Sequence, residues 1–219
     1  MNPKNWILVT GATGFIGFAL IKRLIASGYS VRIITRSKNF DEAFQNFLSD
    51  TSNSRLDIFV GEINKLSSIE RAFENVKYVF HLAALVNSLL PYKKFEEANV
   101  VATNNICELC LEYKVNKLFY ISTCDVFGLP GKTTVFTESS PYKNWSEPYA
   151  DTKIIATQLV KDFQQQGLKS TIFYPGWVYG PGDKAFMPSI LEQLQSGLMP
   201  IWDKGKYKIC LVYIDDLID

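Results

Sequence analysis

The feature that most constrains the fold is the alternation of short apolar runs with longer segments of helical period. The apolar runs are WILVT, VRIIT, LDIFV, YVFHL, KLFYIS and STIFY. Because they are apolar throughout rather than at every second position, they are typical of strands buried on both faces of a parallel sheet. Segments such as FIGFALIKRLIASG and PYADTKIIATQLVKDFQQQG separate them and have helical period. The sequence therefore predicts an α/β fold with a doubly wound parallel sheet.

Composition excludes several classes of partner. The chain of 219 residues carries 23 basic and 22 acidic residues, and the basic residues form no stripe along it. Its charge therefore indicates neither nucleic acid nor an anionic membrane as a partner. The sequence has no long apolar segment of the kind that crosses a membrane or directs secretion. We expect a cytoplasmic location.

The four cysteines, Cys107, Cys110, Cys124 and Cys210, are expected to be reduced thiols. Cys107 and Cys110 form a CxxC motif in NICELCLEYK, but they lie at helical spacing among apolar residues. Because no second CxxC or nearby histidine accompanies them, we interpret both as small core residues and predict no metal site. The only histidine, His81, ends the run YVFHL, and a structural role is expected for it.

A glycine-rich turn, TGATGFIG, lies between the first predicted strand and the first predicted helix. It places Gly11, Gly14 and Gly17 at GxxGxxG spacing. Glycine permits a tight turn and the close approach of a pyrophosphate, whose charge is met by backbone N–H groups at the helix N-terminus. A tight turn without a ligand is the alternative. The position at the start of a βαβ chain favours a dinucleotide site.

The end of the second strand indicates which dinucleotide is bound. NAD sites usually carry an acidic residue there for the ribose hydroxyls, but this strand ends ITRSKN, with Arg36 and Lys38 and no acid before Asp41. A guanidinium can pair with the 2′-phosphate of NADP. We therefore predict NADP in preference to NAD. The alternative is a solvated Arg36 that stacks on the adenine of either cofactor.

The motif PYADTK places Tyr149 and Lys153 four residues apart, on one face of a helix whose first turn holds Pro148. A phenol exchanges protons poorly at neutral pH unless its anion is stabilised, and a nearby ammonium provides that stabilisation. The pair is therefore a candidate for proton transfer. An ordinary exposed helix face is the alternative.

The glycine turn, ISTCDVFG, PYADTK and PGWVYGPGD occur in this order. Over nearly its whole length the sequence thus resembles the extended short-chain dehydrogenase/reductase family, also called NAD(P)-dependent epimerases/dehydratases. The resemblance implies a Rossmann-type NAD(P)-binding domain over residues 1–175 and the beginning of a small C-terminal substrate lobe over residues 176–219. It implies that Thr123 hydrogen-bonds and polarises the substrate oxygen while Tyr149 exchanges its proton during hydride transfer. It also places Asn99 near the active site.

The resemblance further assigns the residues that bind the cofactor. In it, HLAA lines the cofactor after the fourth strand, Lys153 holds the nicotinamide ribose, and Glu62 takes the place of a usual Asp beside the adenine. The complete predicted set comprises Gly11, Thr13, Gly14, Phe15, Ile16, Gly17, Arg36, Glu62, Ile63, Leu82, Ala83, Ala84, Ser122, Tyr149, Lys153, Pro175 and Val178.

Two positions bear on the substrate. Tyr174 and Trp177 stand where nucleotide-sugar members of the family commonly have Arg and Asn, and an indole in place of a polar diphosphate contact favours a more apolar substrate. The tail resembles the 3β-hydroxysteroid dehydrogenase and dihydroflavonol reductase branches. We therefore predict an oxidoreductase that interconverts a secondary alcohol and a carbonyl on a small, fairly apolar molecule.

Two alternatives stay open at this point. The first is a nucleotide-sugar epimerase or dehydratase, and the second is a non-catalytic NAD(P)-sensing regulator. Such regulators typically lack the Tyr/Lys pair, so the presence of Tyr149, Lys153 and Thr123 favours an enzyme.

The resemblance also bears on the extent of the protein and its assembly. The sequence stops at LVYIDDLID, where family members continue into the substrate lobe, so we expect a shortened gene product or part of a longer chain. Family members often dimerise through the helices that here span roughly residues 93–113 and 148–166. A homodimer is therefore expected.

Overall fold

The structure, a computed structural model, describes residues 5–50, 55–86, 89–129, 135–144, 146–200, 202–206 and 209–219. Its main element is a six-stranded sheet in the order β3-β2-β1-β4-β5-β6, and every neighbouring pair is parallel. This is the strand order of dinucleotide-binding Rossmann folds. The predicted fold class is confirmed. The strands are β1 (Trp6–Thr10), β2 (Ser30–Thr35), β3 (Leu56–Val60), β4 (Val76–His81), β5 (Lys117–Ile121) and β6 (Ser170–Phe173).

Helices cover both faces of this sheet, because its central strands are apolar on both sides. Against one face pack α1 (Phe15–Ala26) and α2 (Glu42–Asp50), with Phe44 among the fully buried side chains. The opposite face holds a second buried cluster that includes Leu118 and Val160. The helices on that side are α3 (Leu66–Ile69) with a following 3-10 turn, α4 (Tyr92–Phe95), α5 (Ala102–Glu112) and α6 (Pro148–Gln165).

The helix predicted over residues 93–113 forms, but it is not regular. Between α4 and α5 the chain passes through a π-helical turn, Glu96–Val101, without leaving the helix. Asn99 is buried within this turn. Single π-helical turns occur frequently at functional sites.

The cysteines of the CxxC motif lie in the hydrophobic core, as interpreted from the sequence. Cys107 and Cys110 are both buried on α5, and all four cysteines are free thiols. Burial raises the pKa of Cys107 to about 12, so its thiol is protonated at neutral pH.

After β6 the chain leaves the main sheet. A separate two-stranded parallel sheet joins β7 (Trp177–Tyr179) to β8 (Leu211–Tyr213). The segment AFMPSILEQLQSG has helical period and forms α7 (Phe186–Gln195). The segment KICLVYIDD has a strand-like pattern and contains β8, after which the chain turns into α8 (Ile214–Ile218), which packs against α1.

Residues 128–147, a segment rich in Gly, Pro, Ser and Thr, lie partly outside the described residues, which exclude 130–134 and 145. The described part of this segment is anchored by aromatic contacts. Phe136 and Tyr142 both pack against the ring of Phe127, and the hydroxyls of Tyr142 and Tyr174 lie 2.7 Å apart. Among the residues that the structure describes, no helix is both long and apolar enough to cross a membrane.

Candidate active site

The glycine turn joins the carboxyl end of β1 to α1, and close packing leaves no room for a side chain at two of its glycines. Gly11 has a φ of +71°, and a Cβ there would lie 2.7 Å from the backbone nitrogen of Ala83. A Cβ on Gly17 would collide with the carbonyl oxygen of Gly11. Gly14 differs, since its φ of −79° is ordinary and its nearest contact would be that same oxygen at 3.3 Å.

The turn fits the pyrophosphate of a dinucleotide. Gly14 is the N-cap of the 12-residue α1, and no side chain that the structure describes caps this helix end. The first N–H groups of a helix lack intrahelical acceptors and attract anionic groups. Because the turn also presents glycines in place of side chains, the backbone from Gly11 to Gly17 would hold a dinucleotide by its phosphates.

The residues predicted around the adenine lie at the ends of the two neighbouring strands. Arg36 follows β2 and is exposed. Glu62 follows β3, is also exposed, and its Oε1 lies 2.9 Å from the Nζ of Lys65. The carbonyl of Ile63 accepts a hydrogen bond from the side chain of Asn105 at 3.0 Å. Since the sheet is parallel, these residues share one edge of it with the glycine turn.

The predicted catalytic side chains meet at the carboxyl end of β5. The phenol of Tyr149, in the first turn of α6, lies beside the side chain of Thr123. The Nζ of Lys153 donates to the carbonyl oxygen of Ile121 at 2.6 Å and lies 4.3 Å from the centroid of the Tyr120 ring. The structure thus brings Thr123, Tyr149 and Lys153 into one cluster.

The beginning of α6 is fixed by its local sequence. Pro148 occupies the first turn, where its missing N–H costs no hydrogen bond. The side chain of Glu147 caps the helix, because its Oε2 accepts the backbone N–H of Ala150 at 2.7 Å. These two residues therefore determine where Tyr149 enters the site.

Burial controls the protonation states in this cluster. Desolvation lowers the pKa of the buried Lys153 to about 7. Desolvation, followed by the nearby Asp125 carboxylate, raises the pKa of Tyr149, while the side chain of Thr123 opposes that rise. Tyr149 is therefore protonated at neutral pH.

Asp125 belongs to the site, although sequence reasoning did not single it out. Its Oδ2 accepts a hydrogen bond from the Oγ1 of Thr123 at 3.1 Å, and its backbone N–H donates to the same Oγ1 at 3.2 Å. The signal lay in STCDVFG, where an aspartate follows a threonine by two positions. This is the spacing at which a hydroxyl bonds a backbone N–H in a local turn.

A buried network surrounds His81 at the end of β4. Its Nδ1 lies 2.7 Å from the Oγ1 of Thr10, and its Nε2 lies 3.0 Å from the Oγ1 of Thr103. The Thr103 hydroxyl donates to the carbonyl of Asn99 at 2.5 Å, so it accepts from an Nε2–H. Desolvation, followed by the charge of Lys153, lowers the pKa of His81 to about 3. His81 is therefore neutral and structural.

Asn99 links the segment after β4 to α6. Its Oδ1 accepts the backbone N–H of Leu85 at 2.7 Å, and its Nδ2 donates to the Leu85 carbonyl at 3.2 Å and to the Oγ1 of Thr152 at 3.0 Å. These contacts give Asn99 a positioning role. Its predicted catalytic contact stays a prediction.

The remaining predicted cofactor residues lie on adjoining segments. The hydroxyl of Ser122 bonds that of Thr157 at 2.7 Å, and the carbonyl of Pro175 accepts the backbone N–H of Cys124 at 3.0 Å. Val178 pairs with Val212 in the small sheet. The contacts of Ser122 and Pro175 hold the ends of β5 and β6 beside α6 and the Thr123 turn.

Comparison with known proteins identifies the family. A model of the NAD dependent epimerase/dehydratase family matches residues 7–219. The chain belongs to this family. The family predicted from the sequence is therefore confirmed.

Two curated relatives illustrate its range. The chain is 28% identical over 213 residues to 2-alkyl-3-oxoalkanoate reductase of Stenotrophomonas maltophilia (strain K279a). The match covers 96% of this chain and 62% of the relative. It is 25% identical to the human decarboxylating sterol-4-alpha-carboxylate 3-dehydrogenase over 99% of this chain and 56% of the relative. The chain thus spans 56% to 62% of the length of these relatives.

Solved structures share the fold. UDP-glucose 4-epimerase of Thermotoga maritima, solved with UDP-glucose, has a TM-score of 0.80 and 27% identity, covering 97% of this chain and 71% of that one. The dTDP-glucose 4,6-dehydratase DesIV of Streptomyces venezuelae, solved with NAD and TYD, has a TM-score of 0.82 and 25% identity, covering 97% and 69%.

Proposed function

We propose that this chain forms the cofactor-binding part of an NAD(P)-dependent oxidoreductase that interconverts a secondary alcohol and a carbonyl. The observation that carries the proposal is the cluster of Tyr149, Thr123 and Lys153 at the same edge of the sheet as the glycine turn. The names of the two curated relatives, a reductase and a dehydrogenase, support it.

In this proposal Tyr149 transfers the proton to and from the substrate oxygen. A bound nicotinamide dinucleotide would supply or accept the hydride. As the carbonyl carbon is reduced, the electron pair of its C=O bond moves to the oxygen, which takes the proton of Tyr149 to become a hydroxyl. The Tyr149 phenolate regains a proton from solvent. Oxidation of the alcohol reverses these steps.

Turnover of NADPH with a panel of aldehydes and ketones tests this proposal in the protein that carries this sequence. We expect Tyr149→Phe to lower kcat by about 10²-fold or more, because general acid–base catalysis contributes that much, while NADPH binding is retained. Tyr29→Phe, at an exposed position, is the matched control and should be unchanged. Tight NADPH binding without turnover on any panel member would instead favour the sensing regulator.

For the cofactor, we propose NADP in preference to NAD. The exposed guanidinium of Arg36 at the end of β2 is available to a 2′-phosphate, and a charge-assisted contact of this kind supports the preference. Arg36→Ala is expected to weaken NADPH binding about tenfold and NADH binding little. Lys38→Ala is the control at a nearby exposed position. Equal weakening of both cofactors would show that Arg36 only stacks on adenine.

We propose a small, fairly apolar substrate. Trp177 is half-exposed, and its ring lies 4.8 Å from that of Phe186, so an indole surface borders the segment after β6. The curated relatives are named for an alkyl-oxoalkanoate and a sterol carboxylate, both largely hydrocarbon molecules. A nucleotide-sugar epimerase or dehydratase is the second candidate, since the two solved structures carry those names. Calorimetric binding of UDP-glucose by the NADP-loaded protein would favour that candidate.

We further propose a cytoplasmic homodimer, with a cofactor domain over residues 1–175 and the beginning of a substrate lobe over residues 176–219. The free thiols are typical of a reducing compartment. The chain leaves the main sheet after β6 and enters the separate small sheet, which supports the proposed division.

A further inference from the structure

The amine of Lys153 is buried between two groups that β5 supplies. Its Nζ donates to the carbonyl oxygen of Ile121 at 2.6 Å and lies over the ring of Tyr120, 4.3 Å from the centroid. The side chains of Lys153 and Tyr120 are both buried. Among the ion pairs of the described residues, none involves Lys153. Two consecutive residues of one strand are therefore the described partners of this amine.

The backbone of α6 at Lys153 is held to the end of the same strand. The hydroxyl of Thr157 donates to the carbonyl oxygen of Lys153 at 2.6 Å, and it lies 2.7 Å from the hydroxyl of Ser122. Because the Thr157 proton is used in the first bond, Ser122 is the donor in the second. All three residues are buried. The amine and the ring thus belong to elements that are joined beside the contact, which fixes the position of Nζ relative to the ring.

Tyr120 faces α6 because alternate residues of a strand point to opposite faces of the sheet. Leu118 and Tyr120 belong to the buried cluster that also contains Val160 of α6. Phe119, between them, packs against the ring of Phe80 with the centroids 4.5 Å apart. The hydroxyl of Tyr120 is buried and has no hydrogen-bond partner among the described residues. What Tyr120 offers to Lys153 is therefore the face of its ring.

The face of an aromatic ring stabilises the charged form of an amine. Its electron density attracts a cation, and the attraction strengthens where water is excluded. An ammonium has three N–H donors, and the described hydrogen bond to Ile121 uses one of them. Desolvation lowers the pKa of Lys153 to about 7. At neutral pH a modest loss of stabilisation therefore changes the charged fraction of this amine strongly.

We propose that Tyr120 is a positioning residue whose ring face keeps the amine of Lys153 protonated and holds it at the carboxyl end of β5. The inference rests on the proposed function, in which Lys153 acts beside Tyr149 and the cofactor. It adds to that function a buried aromatic residue outside both the glycine turn and the predicted catalytic set.

Other titratable groups around this contact keep their protonation states near neutral pH. His81 on β4 stacks against Tyr120 with the ring centroids 5.7 Å apart, Cys107 lies on α5, and Tyr149 lies one helical turn before Lys153. Burial lowers the pKa of His81 to about 3 and raises the pKa of Cys107 to about 12. Burial also raises the pKa of Tyr120 and of Tyr149 above the usual 10. Between about pH 5 and pH 9, Lys153 is therefore the member of this group that titrates.

The test measures the charge of Lys153 directly in the cofactor-free protein. Lysine labelled with 13C at Cε reports the protonation of each amine by NMR, and Lys153→Met assigns the resonance. Tyr120→Phe keeps the ring and should change the charged-to-neutral ratio of Lys153 by about twofold or less. A trifluorinated phenylalanine at the same position has nearly the same shape, but its fluorines withdraw electrons from the ring face. At about pH 7 we expect it to lower the ratio about tenfold, one pKa unit, relative to Tyr120→Phe.

The controls separate the ring face from packing. A monofluorinated ring at position 120 should give a smaller fall, and it replaces the trifluorinated ring if circular dichroism shows that the latter does not fold. Trifluorination of Phe119, on the opposite face of β5, should leave the ratio unchanged. An equal ratio for the three rings at position 120, or an equal fall on fluorination of Phe119, would overturn the proposal. The readout does not use turnover, so this failure is distinct from that of the proposed function, which is the lack of turnover on any carbonyl.

Discussion

The Nζ of Lys153 lies in a site where, among the described residues, one carbonyl oxygen and one aromatic ring replace its hydration. Its side chain is buried, and desolvation brings its pKa from an ordinary value of 10.5 to about 7. Below about pH 7 the amine is protonated in the folded and unfolded chains alike, so the folded state bears the full cost of burying the charge. Above that pH the folded chain releases its proton first. Stability from this group therefore rises with pH from about 7 to about 10.5.

Replacement by an apolar side chain of similar length should remove this dependence. We expect Lys153→Met to be more stable than the unaltered chain at pH 6.5, because it buries no charge. Its advantage should shrink by about 1.4 kcal/mol per pH unit above about pH 7. Urea unfolding at pH 6.5, 7.5 and 8.5 measures the difference. Lys161→Met, at a partly exposed position on α6, should show no such pH dependence, and a constant difference for Lys153→Met would contradict the argument.

At this scale the sequence predicts which residues share a site better than it predicts what they contact. The four-residue spacing on α6 places Tyr149 and Lys153 on one face. Spacing does not show that the ammonium bonds the carbonyl of Ile121, or that Asp125 takes the proton of Thr123. Those contacts depend on rotamers, which packing between α6 and β5 selects.

At the scale of elements, the π-helical turn sets the position of the segment after β4. The helical run from α4 to α5 could be predicted as one segment from its hydrophobic period, since most of its residues lie in regular helix. The turn itself could not. Its consequence is that the amide of Asn99 reaches both backbone groups of Leu85 and the hydroxyl of Thr152.

Removing the Asn99 amide should lower the free energy of unfolding, because this amide links the segment after β4 to α6. Asn99→Ala removes the hydrogen-bond partner of both backbone groups of Leu85, and each unsatisfied group costs about 1–3 kcal/mol. The hydroxyl of Thr152 keeps its bonds to the carbonyls of Pro148 and Tyr149. We expect the free energy of unfolding to fall by roughly 3 kcal/mol, with faster hydrogen exchange at the Leu85 amide. Asn104→Ala is the matched control, since Asn104 bonds the exposed Glu108 at 2.8 Å and should cost under about 0.5 kcal/mol. Equal losses in the two variants would refute the positioning role.

At the scale of the whole molecule, the short apolar runs made the doubly wound parallel sheet predictable. Six apolar strands with helical connections leave few arrangements, because crossover connections between parallel strands are right-handed. The small sheet was harder to predict, since β7 and β8 have three residues each and the strand-like pattern of KICLVYIDD continues into α8. Short elements take their conformation from the surfaces they pack on, as α8 does on α1.

The proposed homodimer is the prediction that concerns the whole molecule. The helical run from α4 to α5 packs beside α6, and apolar side chains remain exposed on both, with Tyr92 and Ile155 each 43% and Val101 39% exposed. Burying such a surface against a second copy is favourable by about 25 cal/mol per Å² of apolar area. Light scattering at micromolar concentration should therefore give twice the mass of the chain.

Ile155→Asp should convert that dimer to a monomer, because an unpaired carboxylate would be buried in the interface. Leu191→Asp is the matched control, since Leu191 is 51% exposed but lies on α7, away from these helices. Its particle mass should stay that of a dimer. A monomer mass for the unaltered chain would contradict the dimer. A dimer that survives Ile155→Asp and dissociates with Leu191→Asp would show that the interface lies elsewhere. Circular dichroism of each variant separates loss of association from loss of folding, because α6 also contributes Lys153 and Tyr149 to the site.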